Sequence, residues 1–162
     1  MTQVVEQQTG VDGAISGRDE VLIVEDNPHD LELALHSLRK GHLTNPIRVA
    51  RDGAEALEYI YRTGPYAGRG AGQPKVILLD LKLPKVSGLE VLRRLKGDPR
   101  TREIPVVVLT SSREDRDIEE GYRYGANSYI VKPVDFAQFT DAVSQIGLYW
   151  LFLNEPPVEV GA

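Results

Sequence analysis

Cysteine is absent from the 162 residues, which excludes a disulfide framework and any thiolate metal site and suits a reducing cytoplasm. No apolar run is longer than "LYWLFL" at 148–153, far short of the roughly 18–20 residues needed to cross a bilayer. No basic-then-apolar leader opens the chain either. A cytoplasmic protein with no membrane partner is therefore expected. A net charge of -5 argues against general affinity for a nucleic-acid backbone, so direct DNA binding is not expected. The basic cluster Arg93, Arg94, Lys96, Arg100 and Arg102 is interleaved with Glu90, Asp98 and Glu103 and reads as a solvated face. Histidine is scarce: His29 and His36 lie seven apart on an amphipathic stretch and His42 follows its end, positions that suit the surface rather than chemistry.

With domains usually about 100–200 residues long, the length fits one domain with short tails. Residues 1–18 mix Gln, Gly, Ser and Thr without a sustained period and are expected to form a mobile arm. Residues 19–153 form the folded domain and 154–162 a tail. Within the domain, "EVLIVED", "PIRVA", "KVILLD", "IPVVVLT" and "NSYIVK" read as strands, because short β-branched runs ending in turn signals mark buried parallel strands. Between and after them lie stretches of helical period. In "NPHDLELALHSLRKGH", Leu31, Ala34, Leu35 and Leu38 share a face, Pro28 sits in the first turn and Gly41 stops the helix. Five strand–helix units imply an α/β fold in which right-handed crossovers cover both faces of a parallel sheet. "RTGPYAGRGAGQP" at 62–74 matches no phosphate-binding pattern, precedes a strand rather than a helix, and is expected to be a flexible loop.

Ligands of an open parallel sheet bind beyond the carboxyl ends of its strands. Those ends carry Glu25 and Asp26 after the first strand, Asp80 after the third, Thr110 and Ser111 at the fourth, and Lys132 with Pro133 at the fifth. Each has an ordinary structural explanation. Asp26 with Asn27 and Pro28 can cap a helix, Asp80 can form a turn, and Ser112 stands at capping-box spacing from the acids that follow it. Together they point elsewhere. Acids gathered at one sheet edge repel one another unless a cation sits among them. A set of oxygen donors without nearby histidine or cysteine favours Mg²⁺. Such an ion would keep Asp80 ionised and nucleophilic, able to attack a phosphoryl group while Lys132 and Thr110 stabilise the charge on the equatorial oxygens.

The acid pair in "IVEDN", the aspartate in "LLDLKLP", the hydroxyl in "VVLTSS" and the lysine in "YIVKP" resemble, in order and in place, the receiver domains of two-component response regulators. The resemblance covers residues 20 to about 150. It implies a flavodoxin-like, doubly wound sheet of five parallel strands in the order 2-1-3-4-5 with five helices. It implies Asp80 as phosphoacceptor and a Mg²⁺ site made by Glu25, Asp26, Asp80 and the Lys82 backbone carbonyl. It further implies Thr110 and Tyr129 as a switch pair, Lys132 as the phosphoryl contact, and a cis Lys132–Pro133 bond, since cis is tolerable only before proline. "LKGDPRTREIPVVVLTSS", "GANSYIVKPVDFAQF" and the tail into "YWLFLNEPP" are similar to regulators paired with phytochrome-type kinases, which implies a sensor histidine kinase, a bacteriophytochrome, as partner.

One departure is Lys82, two residues beyond Asp80. It offers no carboxylate or amide to orient attacking water, so slow self-dephosphorylation is expected. Phosphorylation adds about two negative charges, and a turn of Thr110 toward them would admit Tyr129 and alter the surface of the fourth helix, fifth strand and fifth helix. In the fifth helix, Phe136, Phe139, Val143, Ile146, Trp150 and Leu153 form one stripe, with Leu148, Tyr149, Leu151 and Phe152 on other sides. One core cannot cover all of them, so a homodimer using this tail is expected. Nine residues follow Leu153, too few for an output domain, so the signal is expected to leave by a protein contact or a phosphorelay rather than by enzymatic turnover. The alternative is a Mg²⁺-dependent phosphohydrolase with an aspartyl-phosphate intermediate, but haloacid-dehalogenase-like enzymes need an acid where Lys82 stands. A flavin-binding module would need a Ser-, Thr- and Gly-rich loop where "EDNPHD" lies.

Overall fold

The computed structural model describes residues 19–41, 43–70 and 72–157; residues 1–18, expected to form a mobile arm, together with His42, Ala71 and the last five residues, lie outside the described set. Five strands, β1 (Val21–Val24), β2 (Ile47–Ala50), β3 (Val76–Leu79), β4 (Val106–Thr110) and β5 (Ser128–Val131), pair in parallel in the order β2-β1-β3-β4-β5. Five helices alternate with them: α1 (Pro28–Lys40), α2 (Gly53–Tyr61), α3 (Gly88–Gly97), α4 (Asp115–Arg123) and α5 (Phe136–Leu148). This is the expected architecture and strand order.

The two-residue period of a strand sends alternate side chains to opposite faces. Leu22, Val24, Ile77, Leu79, Val106 and Val108 pack with Ala56, Ile60, Leu92 and Leu95 of α2 and α3. Val21, Ile23, Val76, Leu78, Val107 and Leu109 pack with Leu31, Ala34 and Leu38 of α1 and Phe139, Val143 and Ile146 of α5. Both faces being covered explains why β1, β3 and β4 read as unbroken apolar runs. Among the described residues no helix is long and apolar enough to cross a membrane.

Three local expectations are corrected. The 62–74 connection is not a free loop: Arg69 stacks on Tyr59 with its guanidinium carbon 4.2 Å from the ring centre and donates to the carbonyls of Tyr59 and Gly72. Arg62 donates to the carbonyls of Gly70 and Gly72, and Gln73 to that of Ile60. Guanidinium groups with several donors replace the missing backbone ladder.

The tail also departs from a continuous helix. α5 gives way to a π-helical turn at Tyr149–Leu153, closed by the Asn154 N–H on the Tyr149 carbonyl at 2.7 Å. The wider turn changes the phase of the stripe. Trp150 and Leu151 go inside while Phe136 and Leu153 are exposed. Lys75 Nζ, 2.7 Å from the Leu151 carbonyl, fixes this end. Finally, the Lys132–Pro133 bond is trans, no cis bond occurring among the described residues; trans is the favoured form even before proline, by about 0.5–1 kcal/mol.

Candidate functional site

The strand order reverses between β1 and β3, and a crevice opens beyond their carboxyl ends. Backbone hydrogen bonds continue the sheet one residue further at each relevant strand. Glu25 donates to Ala50, Asp80 to Val24 and Lys132 to Thr110, at 3.0, 3.1 and 2.7 Å. The first residue after each strand is thus held as firmly as the strand itself, and it is that residue which carries the charge.

Carboxylate oxygens of Glu25, Asp26 and Asp80 lie within 4.8 Å of one another. Asn27, not Asp26, caps α1, its side chain accepting the N–H groups of His29 and Asp30, so Asp26 is left exposed at the mouth while Glu25 and Asp80 are buried. Lys132 reaches in from β5. Its Nζ lies 2.8 Å from Glu25, 2.8 Å from Asp30 and 3.1 Å from Asp80. The charged groups share with Ile23, Leu78, Leu109 and Phe139 the lining of a void of about 20 Å³, and apolar side chains beside buried charges strengthen the interactions among them.

The electrostatics follow from this crowding. Burial pushes the Glu25 carboxyl up to about 9, reinforced by its hydrogen bond with Asp80 and opposed by Lys132. Burial also pushes Asp80 up, but contacts with Glu25, the Lys132 ammonium and the Thr110 hydroxyl outweigh it and leave Asp80 below its usual value. Two carboxyls in contact share a proton. Lys132 pays a burial penalty that its bonds to Asp30 and Glu25 and the charge of Asp80 more than reverse, so its ammonium is held charged. An oxygen-only donor set, already too negative for its one ammonium, suits a hard divalent cation such as Mg²⁺.

The other expected residues lie at the rim. Thr110 is fully buried at the end of β4, and Tyr129, on β5, donates its hydroxyl to the Ser112 carbonyl at 3.0 Å. Tyr129 is therefore already turned toward the loop after β4, resting against Gly121 of α4, where an added Cβ would come 3.0 Å from the ring. Ser112 does not form the expected capping box: α4 starts after Glu114 without a side-chain cap, and the Ser112 hydroxyl binds Asp117 instead. The Lys82 side chain is exposed and its N–H lies 3.3 Å from Asp80 Oδ1. His29 and His36 are exposed, as expected.

Sequence reasoning missed Asp30. The available signal was its place four residues after Asp26, one turn into the helix that begins at the same strand end.

The sequence matches the family described as response regulator receiver domain over residues 21–144. The chain belongs to this family. Receiver domains are phosphoacceptor signalling modules, and the hydrolase alternative finds no support here. The bacteriophytochrome response regulator AtBRR is 55% identical, with a TM-score of 0.68 over 85% of this chain and 98% of that one. The phosphorylated cyanobacterial phytochrome response regulator RcpA is 37% identical, with a TM-score of 0.81 over 86% of this chain and 99% of that one. Response regulator Rcp1 of Synechocystis sp. is 34% identical over 81% of this chain and 88% of its own length, and its Mn²⁺-bound crystal structure has a TM-score of 0.81 over 86% and 99% of the two chains. The near neighbours are thus phytochrome-associated regulators.

Proposed function

We propose that Asp80 of this receiver accepts a phosphoryl group from the phosphohistidine of a sensor kinase of the bacteriophytochrome type. The observation that carries the reading is the meeting of Glu25, Asp26 and Asp80 within 4.8 Å with Lys132 Nζ 3.1 Å from Asp80. Mg²⁺, held by these three acids and the Lys82 carbonyl, would supply charge neutralisation to the transferring phosphoryl group; the Mn²⁺-bound form of Rcp1 supports such a site. An Asp80 carboxylate oxygen attacks phosphorus, the bond from phosphorus to the kinase histidine breaks, and its electron pair stays on that nitrogen. Lys132 keeps its proton and faces the added charge, and Thr110 donates its hydroxyl.

Thr110 and Tyr129 then form the switch. Phosphorylation favours the arrangement in which Tyr129 is inside, bonded to the Ser112 carbonyl, and shifts the population of α4 and α5 surfaces. α4 buries only Gly121, which suits an element that moves. Lys82 leaves attacking water unoriented, so the acyl phosphate is long-lived. The output surface carries exposed Tyr122, Phe136, Leu148, Tyr149, Phe152 and Leu153, apolar area that supports a homodimer through α4, β5, α5 and the tail. The protein works in the cytoplasm, where its kinase partner exposes phosphohistidine.

Intact mass after incubation with acetyl phosphate tests the reading. One phosphoryl group should add to the unmutated protein only with Mg²⁺ present, and none to Asp80→Asn. Addition to Asp80→Asn, or turnover of free phosphate esters, overturns it.

A further inference from the structure

We propose that Asp30 is the positioning residue that keeps the Lys132 ammonium in the pocket, ready for the incoming phosphoryl group, when a divalent ion draws off its other two partners. The inference rests on the phosphoacceptor reading and extends it to a residue outside the expected set.

A lysine ammonium has three donors and no acceptor. Here each donor has one carboxylate: Glu25, Asp30 and Asp80. Glu25 and Asp80 belong with Asp26 to the group able to share a metal ion; Asp30 does not. A cation among those three competes with the ammonium for the same oxygens and repels it. Phosphoryl transfer then places an Asp80 oxygen in an acyl phosphate. Asp30 is the partner that neither event consumes. Without it, in the metal-loaded protein before a phosphoryl group arrives, a flexible four-carbon stem holds a cation beside another cation, and nothing keeps the ammonium from swinging to water.

Its placement suits the task. Asp30 occupies the first turn of α1, its N–H bound to the Asn27 side chain at 3.1 Å, with Pro28 pre-setting the backbone of that turn. Its side chain is 27% exposed, against 6% for Glu25 and 9% for Asp80. Asp30 thus meets the ammonium from the solvent side, while the other two meet it from within. It touches no reacting atom and takes no proton. Its effect is exerted wholly through Lys132.

Nitrogen NMR of protein with isotope-labelled lysine side chains, combined with phosphorylation by acetyl phosphate, tests this. In that reaction Asp80 bonds to phosphorus and acetate leaves with the electron pair. A slowly exchanging Lys132 ammonium signal, identified by its loss in Lys132→Met, should persist in the Mg²⁺-loaded wild type and vanish in Asp30→Ala. The maximal phosphorylation rate of Asp30→Ala should fall about tenfold while the half-saturating acetyl phosphate concentration changes by about twofold or less. Asp30→Asn, which keeps an acceptor oxygen, and Asp30→Glu, which keeps the charge, should fall between Ala and wild type, and both guard against an Asp30→Ala that fails to fold. Persistence of the Lys132 signal in Mg²⁺-loaded Asp30→Ala, or at full wild-type strength in Asp30→Asn and Asp30→Glu should the alanine variant not fold, overturns the proposal, whether or not transfer slows, because Asp30 would then act by another route. Should the wild type gain no phosphoryl group at all, the phosphoacceptor reading fails, and the NMR result still decides the role of Asp30.

Discussion

Replacing Gly88 by alanine would place a methyl group where the acceptor loop has no room. The added Cβ would lie 2.1 Å from the Asp80 carbonyl oxygen, 2.6 Å from Leu81 Cα and 2.9 Å from the Asp80 carbonyl carbon. All three are backbone atoms, so no flexible side-chain end can yield. The loop is closed by the Gly88 N–H on the Leu81 carbonyl at 2.9 Å, and relief of the clash must lengthen that bond or push Asp80 toward the pocket. Overpacking of this kind costs about 1–3 kcal/mol and loss of the hydrogen bond about 1 kcal/mol. The gain from alanine over glycine in a helix is at most about 1 kcal/mol, and it is smaller at the first helical residue. Net destabilisation of about 2–3 kcal/mol is expected, together with slower phosphorylation by acetyl phosphate per folded molecule. Gly97, at the far end of the same helix, is the control: a Cβ there meets nothing within 4 Å, and Gly97→Ala should be neutral or stabilising by about 0.5 kcal/mol. Urea unfolding followed by circular dichroism reads both. A Gly88→Ala protein within about 0.5 kcal/mol of wild type, or one destabilised but phosphorylated at the normal rate, would refute the claim that this glycine sets the position of Asp80.

Lys96 ties three segments together by donating to the carbonyls of Arg102 and Ile104 and to the Asn127 side chain, at 2.9, 2.8 and 3.0 Å. Lys96→Met leaves these acceptors without their charged donor and should lower stability by about 2 kcal/mol in the same urea assay. Burial and the nearby Glu20 push the Tyr59 phenol from 10.0 up to about 12. The folded state therefore holds this proton more tightly than the unfolded one, and the associated stability is complete below pH 10 and lost as pH rises toward 12. Tyr59→Phe should be less stable by about 1 kcal/mol near neutrality, and the gap should shrink in unfolding curves taken above pH 10. Because Trp150 and Leu151 are part of the core, deleting the tail would damage the fold itself. Leu148→Glu with Phe152→Glu alters exposed positions only, and should convert the proposed dimer to monomers in sedimentation velocity; an unchanged sedimentation coefficient would remove these residues from the proposed interface.

Much of the fold is written in short-range patterns. The unbroken apolar runs "VLIV" and "VVVL" and the helical period of Leu31, Ala34 and Leu38 depend on neighbours a few residues away, and buried strands flanked by helices leave few topologies. The site was legible for a related reason. A charged residue directly after an apolar strand can be placed at a sheet edge before the sheet is assembled, and Glu25, Asp26, Asp80 and Lys132 all obey that rule. The 62–74 connection misled because glycine content signals a permissive backbone but not the arginine side chains that restrain it.

By itself the sequence determined which residues stand at the strand ends, and hence that acids, a lysine and a hydroxyl share one edge of a parallel sheet. Only the tertiary structure decided which of them touch. Lys132 meets Asp30 across 102 positions of chain, Tyr129 meets the Ser112 carbonyl across β4 and β5, and the π-helical turn at Tyr149–Leu153 is tied down by Lys75, which precedes β3. Periodicity is a local property of the backbone, whereas the partner of a buried charge is selected by whatever the completed packing brings within about 3 Å of it.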